Sequence, residues 1–212
     1  MDKEILIQYL NELFPDAHCE LNFSNHYELL IAVILSAQTT DKKVNLVTKE
    51  LFEKYPNFAS LASANYSEVE KIIHPLGLSK TKAYNIIKTS QKVADEFNGQ
   101  PPLEKDKLLT LPGVGFKVAS VYLGEVLHQL ELPVDTHIFR ISHRLNLSDK
   151  KTPEAVSLDL KEFFKGEDLM HLHHQLIFFG RYFCTSRTPN CAKCRLSNNC
   201  NFAKSGWNHF QI

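Results

Sequence analysis

The sequence predicts an all-α protein, and two observations carry this prediction. Apolar residues recur every three or four positions through most of the 212 residues, as one face of a helix requires. No segment shows the sustained alternation of apolar and polar residues that is typical of a half-buried strand. Proline, glycine and asparagine divide the periodic stretches, which indicates roughly ten helices.

The predicted helices have recognisable caps and stops. Asn25 followed by Glu28, Asp41 and Asp135 are suitable N-caps, and Pro153 suits a first helical turn. In chain order, apolar residues mark helices over 5–13, 29–36 and 44–52, and short helices up to 61 and over 67–73. After a turn at 75–78, a helix covers 86–97 and a short one ends near 110. The remaining helices cover 118–127 and 138–145, begin at 153, and cover 169–182.

Composition indicates a globular chain without net charge. Hydrophobic residues make up 43% and charged residues 23%, and 24 Lys and Arg balance 24 Asp and Glu. Binding to nucleic acid therefore needs a local basic patch. The C-terminal region supplies one, because no acidic residue follows Asp168 while five basic residues do, namely Arg181, Arg187, Lys193, Arg195 and Lys204.

The N-terminus lacks the features of a secretory signal, and the longest apolar run, residues 29–35, is too short to cross a bilayer. We therefore expect a cytoplasmic protein that does not associate with membranes. In that compartment, five cysteines favour metal ligation or free thiols over disulfides.

A glycine-containing turn between two helices is the stretch where candidate chemistry concentrates. Pro112 ends a short helix, Gly113 and Gly115 supply the φ freedom of a tight turn, and a second helix begins near Gly115. Such a turn presents unpaired N–H groups and the positive end of a helix dipole, which suit a phosphate. Gly113, Val114 and Gly115 are therefore candidate contacts to a nucleic-acid backbone.

Lys117 lies in the first turn of that second helix, where the dipole disfavours an ammonium and favours the neutral, nucleophilic amine. The alternative is an ordinary turn with a surface lysine. Asp135, taken alone, is equally well explained as an N-cap. His171, His173 and His174 are expected to make surface or interdomain polar contacts and not to bind a metal.

Four cysteines near the C-terminus have the pattern C-x6-C-x2-C-x5-C, formed by Cys184, Cys191, Cys194 and Cys200. Four thiolates suit a structural zinc ion or a [4Fe-4S] cluster, and the spacing leaves both possibilities open. The loop would hold Lys193 and Arg195 towards a phosphate, or these cations would offset the charge of the thiolates.

Together these motifs resemble the endonuclease III family of helix-hairpin-helix DNA glycosylases. The resemblance runs from about residue 21 to residue 202. Its motifs are Leu-Ser-Ala-Gln-Thr-Thr-Asp at 35–41, the hairpin with Lys117, Val-Asp-Thr-His-Ile-Phe-Arg at 134–140, Gly-Arg-Tyr at 180–182 and the cysteine spacing.

The resemblance implies a two-domain helix-hairpin-helix glycosylase fold. A six-helix domain over residues 21–129 would contain the hairpin. The second domain would combine the N-terminal helix, residues 1–20, with residues 130–212 and would hold a [4Fe-4S] cluster on the four cysteines. DNA would lie in the groove between the domains.

The resemblance also implies a function, that of a bifunctional DNA glycosylase and abasic-site lyase of base-excision repair. It would remove oxidised pyrimidines and cleave the abasic strand by β-elimination, acting as a monomer on double-stranded DNA that contains damaged pyrimidines or abasic sites. Lys117 would be the Schiff-base nucleophile and Asp135 its carboxylate partner. Gln38 and Leu78 would fill the gap left by the flipped nucleotide.

Three alternatives remain open at this point. A monofunctional mismatch glycosylase would share the hairpin, the aspartate and the cysteines but should lack a lysine at position 117. A noncatalytic helix-hairpin-helix module would need neither the Lys117–Asp135 pair nor a cluster. A small electron carrier would need the cluster but not the hairpin.

Overall fold

The computed structural model describes residues 1–127 and 131–205, and within these ranges the chain is helical with no strand. The predicted all-α class is therefore confirmed. No helix in these two ranges is both long and apolar enough to cross a membrane. The α-helices of the described residues are α1 (Lys3–Leu13), α2 (His26–Leu35), α3 (Asp41–Lys54), α4 (Phe58–Ala62), α5 (Tyr66–Ile73), α6 (Ser79–Glu96), α7 (Lys105–Leu108), α8 (Phe116–Leu127), α9 (Thr136–Arg144), α10 (Pro153–Phe163), α11 (Leu169–Phe178) and α12 (Asn201–Lys204).

The chain divides into two compact units. One, the hairpin unit, spans Glu20–Val126, and the other, the cysteine unit, combines Met1–Cys19 with Leu127–Ile212. The hairpin unit carries α2 to α7 and nearly all of α8. Of these, α7 is a single turn of four residues that leads into the hairpin.

The hairpin unit is built around α2, which is buried on almost every side. All of its residues after His26 are buried except Glu28. Asn25 is the predicted N-cap, and its side chain accepts a hydrogen bond of 3.0 Å from the Glu28 amide. The cap predicted for α3 is wrong by one residue, because Thr40 is the N-cap and Asp41 is already helical. There Asp41 still lies favourably near the positive end of the helix dipole.

The cysteine unit has its own core, to which α1, α9, α10 and α11 contribute. Leu6, Leu10, Ile138, Ile141 and Phe179 are almost completely buried in it. The last predicted helix is interrupted, because α11 ends at Phe178 and continues as a π-helical turn over Phe179–Phe183. The short α12 then follows the cysteines.

The sequence predicts surface or interdomain polar contacts for the histidines of α11, and a surface position is wrong for two of the three. His173 and His174 are 2% and 9% exposed. His173 Nδ1 lies 2.8 Å from the Pro133 carbonyl oxygen, a contact within the cysteine unit. His171 is partly exposed, and its amide donates to the Asp168 cap. The inward face of α11 packs against the Pro133 segment, a tertiary arrangement that helical periodicity does not reveal.

Candidate DNA-binding and catalytic site

The hairpin connects α7 to α8, and its two glycines differ in their roles. Gly113 has φ +78°, and a Cβ at this position would lie 2.9 Å from Asn85 Nδ2. The predicted need for glycine at 113 is therefore correct. Gly115 has no left-handed φ, and a Cβ there would meet nothing within 4 Å. The prediction that position 115 needs the φ freedom of glycine is therefore wrong. Gly115 instead leaves open space in front of the backbone.

Some backbone amides of the hairpin are bonded within the turn, and others precede the first hydrogen bond of α8. The Val114 amide donates to the Leu111 carbonyl at 3.1 Å, so it is used inside the turn, and the Val114 side chain is 6% exposed. Ala119 donates the first bond of the following helix, to Gly115 at 3.0 Å. The amides of Gly115, Phe116 and Lys117 thus precede the first bond of α8, where helix N-termini accommodate anions.

Lys117 is the second residue of α8 and so lies in its first turn, as predicted, and its side chain is exposed. Within residues 1–127 and 131–205 its amine makes no hydrogen bond or ion pair. A second cation stands beside the hairpin, because Lys105 Nζ lies 3.9 Å from the centroid of the Phe116 ring. An amine without a carboxylate partner at a helix N-terminus is well suited to act as a nucleophile.

Gln38 and Leu78 share an unusual backbone conformation. Their φ angles are +54° and +50°, and among the described residues only Asn98 and Asn146 join them as non-glycine residues in this region. Asparagine tolerates the left-handed region well, whereas glutamine and leucine adopt it rarely. Both side chains are exposed, Leu78 to 61%. Strained residues of this kind cluster at functional sites, where the surrounding structure holds them.

Asp135 belongs to the cysteine unit and caps α9 as predicted. Its Oδ1 accepts hydrogen bonds from the amides of His137 and Ile138, at 2.9 and 2.8 Å. Its Oδ2 accepts no hydrogen bond in the described part of the chain. Capping of α9 therefore leaves the second oxygen of this half-buried carboxylate available.

The four cysteines line one cavity together with the rings of Phe179, Phe183 and Phe202. Burial raises the pKa of the Cys194 thiol to about 11 and also raises the pKa of Cys191. Bound metal cations would be needed to keep such thiols ionised at neutral pH. Among the described residues, no group of three His, Cys, Asp or Glu side chains is arranged to hold a single metal ion.

The two predicted phosphate contacts of the cysteine loop differ in availability. Arg195 Nη1 lies 2.6 Å from Glu12 Oε2, so this guanidinium already has a carboxylate partner. Lys193 is exposed, and its ammonium has no partner in the described ranges. Lys193 is therefore the better candidate for a phosphate contact.

Comparison with known proteins shows which family the chain belongs to. Residues 31–166 match the model of the HhH-GPD superfamily base excision DNA repair protein. The endonuclease III of Bacillus subtilis (strain 168) is 40% identical over 198 residues, which cover 93% of this chain and 90% of that protein. The chain belongs to the endonuclease III family. Its activity is accordingly that of a DNA glycosylase with abasic-site lyase activity in base-excision repair.

Two solved endonuclease III structures resemble this one over nearly their whole length. The match to a non-covalent endonuclease III–DNA complex has a TM-score of 0.92 at 39% identity, and it covers 98% of this chain and 99% of the chain in that complex. A trapped endonuclease III–DNA covalent intermediate has a TM-score of 0.91 at 39% identity, with 97% and 98% covered. The predicted two-domain endonuclease III fold is confirmed.

Sequence reasoning does not reveal two buried cations of this endonuclease III. Lys82 falls on the buried face of α6, where a lysine is unexpected. Arg144, in the last turn of α9, is only 8% exposed. It donates to the carbonyls of Thr185 and Ser186 at 2.7 and 2.9 Å and lies 3.3 Å from Cys184 Sγ.

Proposed function

We propose that this chain excises oxidised pyrimidines from double-stranded DNA and that Lys117 is the nucleophile of both excision and strand cleavage. The single observation that carries the proposal is the position of Lys117. It is exposed, has no partner in the described ranges, and directly follows hairpin amides suited to a phosphate. The covalent intermediate trapped for a related endonuclease III supports a nucleophilic mechanism.

The neutral Lys117 amine attacks C1′ of the deoxyribose, and the damaged base leaves with the electron pair of the glycosidic bond and takes up a proton. The amine nitrogen gives up one proton, and the sugar ring opens as O4′ leaves with the C1′–O4′ electron pair and takes up a proton, which gives a protonated imine (iminium) between Nζ and C1′. Loss of a proton from C2′ then expels the 3′ phosphate, and water hydrolyses the imine. An amine is required because only an iminium accepts the electron pair released at C2′.

Asp135 is the proposed carboxylate of the reaction. Its Oδ2 is left available by the capping geometry, so it can accept a proton and stabilise positive charge that develops on the sugar. Oδ1 meanwhile fixes the orientation of the carboxylate through two amides. This role rests on the family resemblance together with the free oxygen.

Gln38 and Leu78 are the proposed gap-filling residues. A pyrimidine inside a duplex cannot be reached, and extruding it costs a few kcal/mol, least for a lesion that already stacks or pairs badly. Exposed side chains on strained turns suit insertion into the vacated stack. Gly113, Gly115 and Lys193 would support the DNA backbone, whereas the Val114 amide is already used inside the turn. Arg195 would contribute only if it leaves Glu12.

A [4Fe-4S] cluster is the proposed resident group of the cysteine cavity. The family resemblance favours this cluster over a zinc ion, and all four thiols that it needs line one cavity. Cys184, Cys191, Cys194 and Cys200 would be its ligands, and when bound the cluster would cross-link the C-terminal loop. We further propose that the enzyme is a cytoplasmic monomer.

The decisive experiment is borohydride trapping on a labelled duplex that contains one thymine glycol or one abasic site. Wild type should give a covalent protein–DNA band and Lys117→Ala should not, while Lys117→Ala still binds the duplex. Lys105→Ala, which removes the neighbouring cation, is the matched control and should still trap. Absence of a band in wild type, with binding retained, would favour a monofunctional glycosylase.

A further inference from the structure

We propose that Lys82 is a positioning residue that locks the Gln38 and Leu78 loops together, so that both side chains meet the duplex in one fixed geometry. The inference rests on the proposed gap-filling roles of these two residues. It concerns three groups, the Lys82 ammonium, the Thr39 hydroxyl and the Leu76 carbonyl, which we call the Lys82 node.

The node joins the two loops directly. Lys82 Nζ donates to Thr39 Oγ1 at 2.6 Å and to the Leu76 carbonyl at 3.4 Å. The Thr39 hydroxyl in turn donates to the Leu76 carbonyl at 2.9 Å. Thr39 is the residue after Gln38, and Leu76 lies two residues before Leu78. Each side of the node therefore stands next to a strained gap-filling residue.

The burial of Lys82 indicates that the node serves a purpose other than stability. Its side chain is 4% exposed, and in the described ranges no carboxylate lies within 4.0 Å of its ammonium. Burial lowers the pKa of this ammonium, which reflects the cost of burying a charge. An aliphatic residue on the apolar face of α6 would avoid this cost but could not bind Thr39 and Leu76.

The backbone at Gln38 and Leu78 explains what the node must hold. Left-handed conformations at glutamine and leucine persist only where the surroundings enforce them. The Leu78 side has one further support, since Ser79 Oγ donates to Glu70 Oε1 at 2.8 Å. On the Gln38 side, the Thr39 amide donates to the Ser36 carbonyl at 3.0 Å, and the side-chain link to α6 runs through Lys82.

The same face of α6 also supports the hairpin. Thr89 Oγ1 donates to the Pro112 carbonyl at 2.7 Å, and Lys92 Nζ donates to the Thr110 carbonyl at 3.2 Å. Lys82 and Thr89 are two helical turns apart, a rise of about 10 Å. One rigid helix thus sets the spacing between the gap-filling loops and the amides proposed to bind phosphate.

The test compares two substrates that differ in their need for gap filling. One is a duplex with a single thymine glycol, and the other is a single-stranded oligonucleotide with one abasic site, which has no opposite strand and no stack to restore. Lys82→Met and Thr39→Val should lower kcat/KM on the duplex by roughly ten- to a hundredfold, a range typical of misplaced groups. Both should cleave the single strand within about twofold of wild type.

Conservative and control variants sharpen the result. Thr39→Ser keeps the hydroxyl and should retain wild-type activity on the duplex. Lys88→Met removes an exposed lysine from the same helix and should cleave both substrates at the wild-type rate. An equal loss on both substrates, or no loss on either, would overturn the proposal. If Lys82→Met fails to fold, Thr39→Val decides alone.

The proposed function is tested separately by Gln38→Ala and Leu78→Ala. If these variants keep full activity on the duplex, gap filling by these residues is wrong, and the role of Lys82 falls with it. If they lose activity on the duplex while Lys82→Met does not, only the positioning role fails.

Discussion

Gly113 packs so tightly against Asn85 that a Cβ at position 113 would stand 2.9 Å from Asn85 Nδ2. Two residues later, Gly115 faces open space. The hairpin therefore uses one glycine to pack against the neighbouring helix α6 and the other to leave its outer surface bare. Position 113 therefore requires glycine for the fold, whereas glycine at position 115 leaves room for the proposed DNA phosphate.

Alanine at each glycine should have opposite effects. Gly113→Ala should lower the free energy of unfolding by about 1–3 kcal/mol, because it adds a steric clash and left-handed strain. Gly115→Ala should leave stability unchanged or slightly higher but weaken duplex binding by roughly tenfold, since a methyl group would block a phosphate. Urea unfolding and fluorescence anisotropy measure the two effects. Unchanged binding by Gly115→Ala would exclude close contact between this glycine and DNA.

Substitutions of Asp135 should separate capping from chemistry. Asp135→Asn keeps an oxygen to cap α9 but loses the charge, so turnover should fall by roughly 10²–10⁴-fold with little change in stability. Asp135→Ala should lose turnover to a similar extent and cost about 1 kcal/mol of stability as well. Single-turnover excision and thermal unfolding provide the readouts. Wild-type turnover in Asp135→Asn would return this residue to a capping role alone.

Arg144→Met should disturb the cysteine loop. Several backbone carbonyls between Cys184 and Ser186 would lose a buried donor, at a cost of about 2 kcal/mol or more. We expect lower iron and sulfide content per chain and a weaker absorbance band near ~400 nm from sulfur-to-iron charge transfer. Arg187→Met, an exposed arginine in the same loop, is the control. A colourless wild-type protein loaded with zinc would contradict the cluster assignment.

Lys82 should give the protein a specific alkaline pH dependence. Burial lowers its pKa below the ordinary 10.5, so between the folded-state pKa and 10.5 the unfolded chain binds more protons at this site. The free energy of unfolding of wild type should therefore rise with pH in this range, relative to Lys82→Met. Below the folded-state pKa the difference should be constant. Urea titrations from about pH 7 to about pH 10 measure it, and a difference that falls with pH would contradict the burial of a charged Lys82.

Local features of the sequence were sufficient for the helices and several of their ends. Asn25 and Asp135 cap α2 and α9, and Pro153 begins α10, because capping depends on a few neighbouring residues. The family followed from motifs whose order along the chain is distinctive. The roles of Lys117 and Asp135 remain predictions, although the structure leaves an available amine and an available oxygen.

Tertiary structure alone decided which polar groups are buried. Lysine, arginine and histidine are residue types usually found at the surface, yet Lys82, Arg144 and His173 are buried. Each lies where another segment packs over it and offers carbonyl or hydroxyl partners. The difference between Gly113 and Gly115 has the same origin, since only the packing of α6 shows which glycine faces a neighbour. Sequence periodicity reports which face of a helix is apolar, whereas the partners of a polar group come from residues distant along the chain.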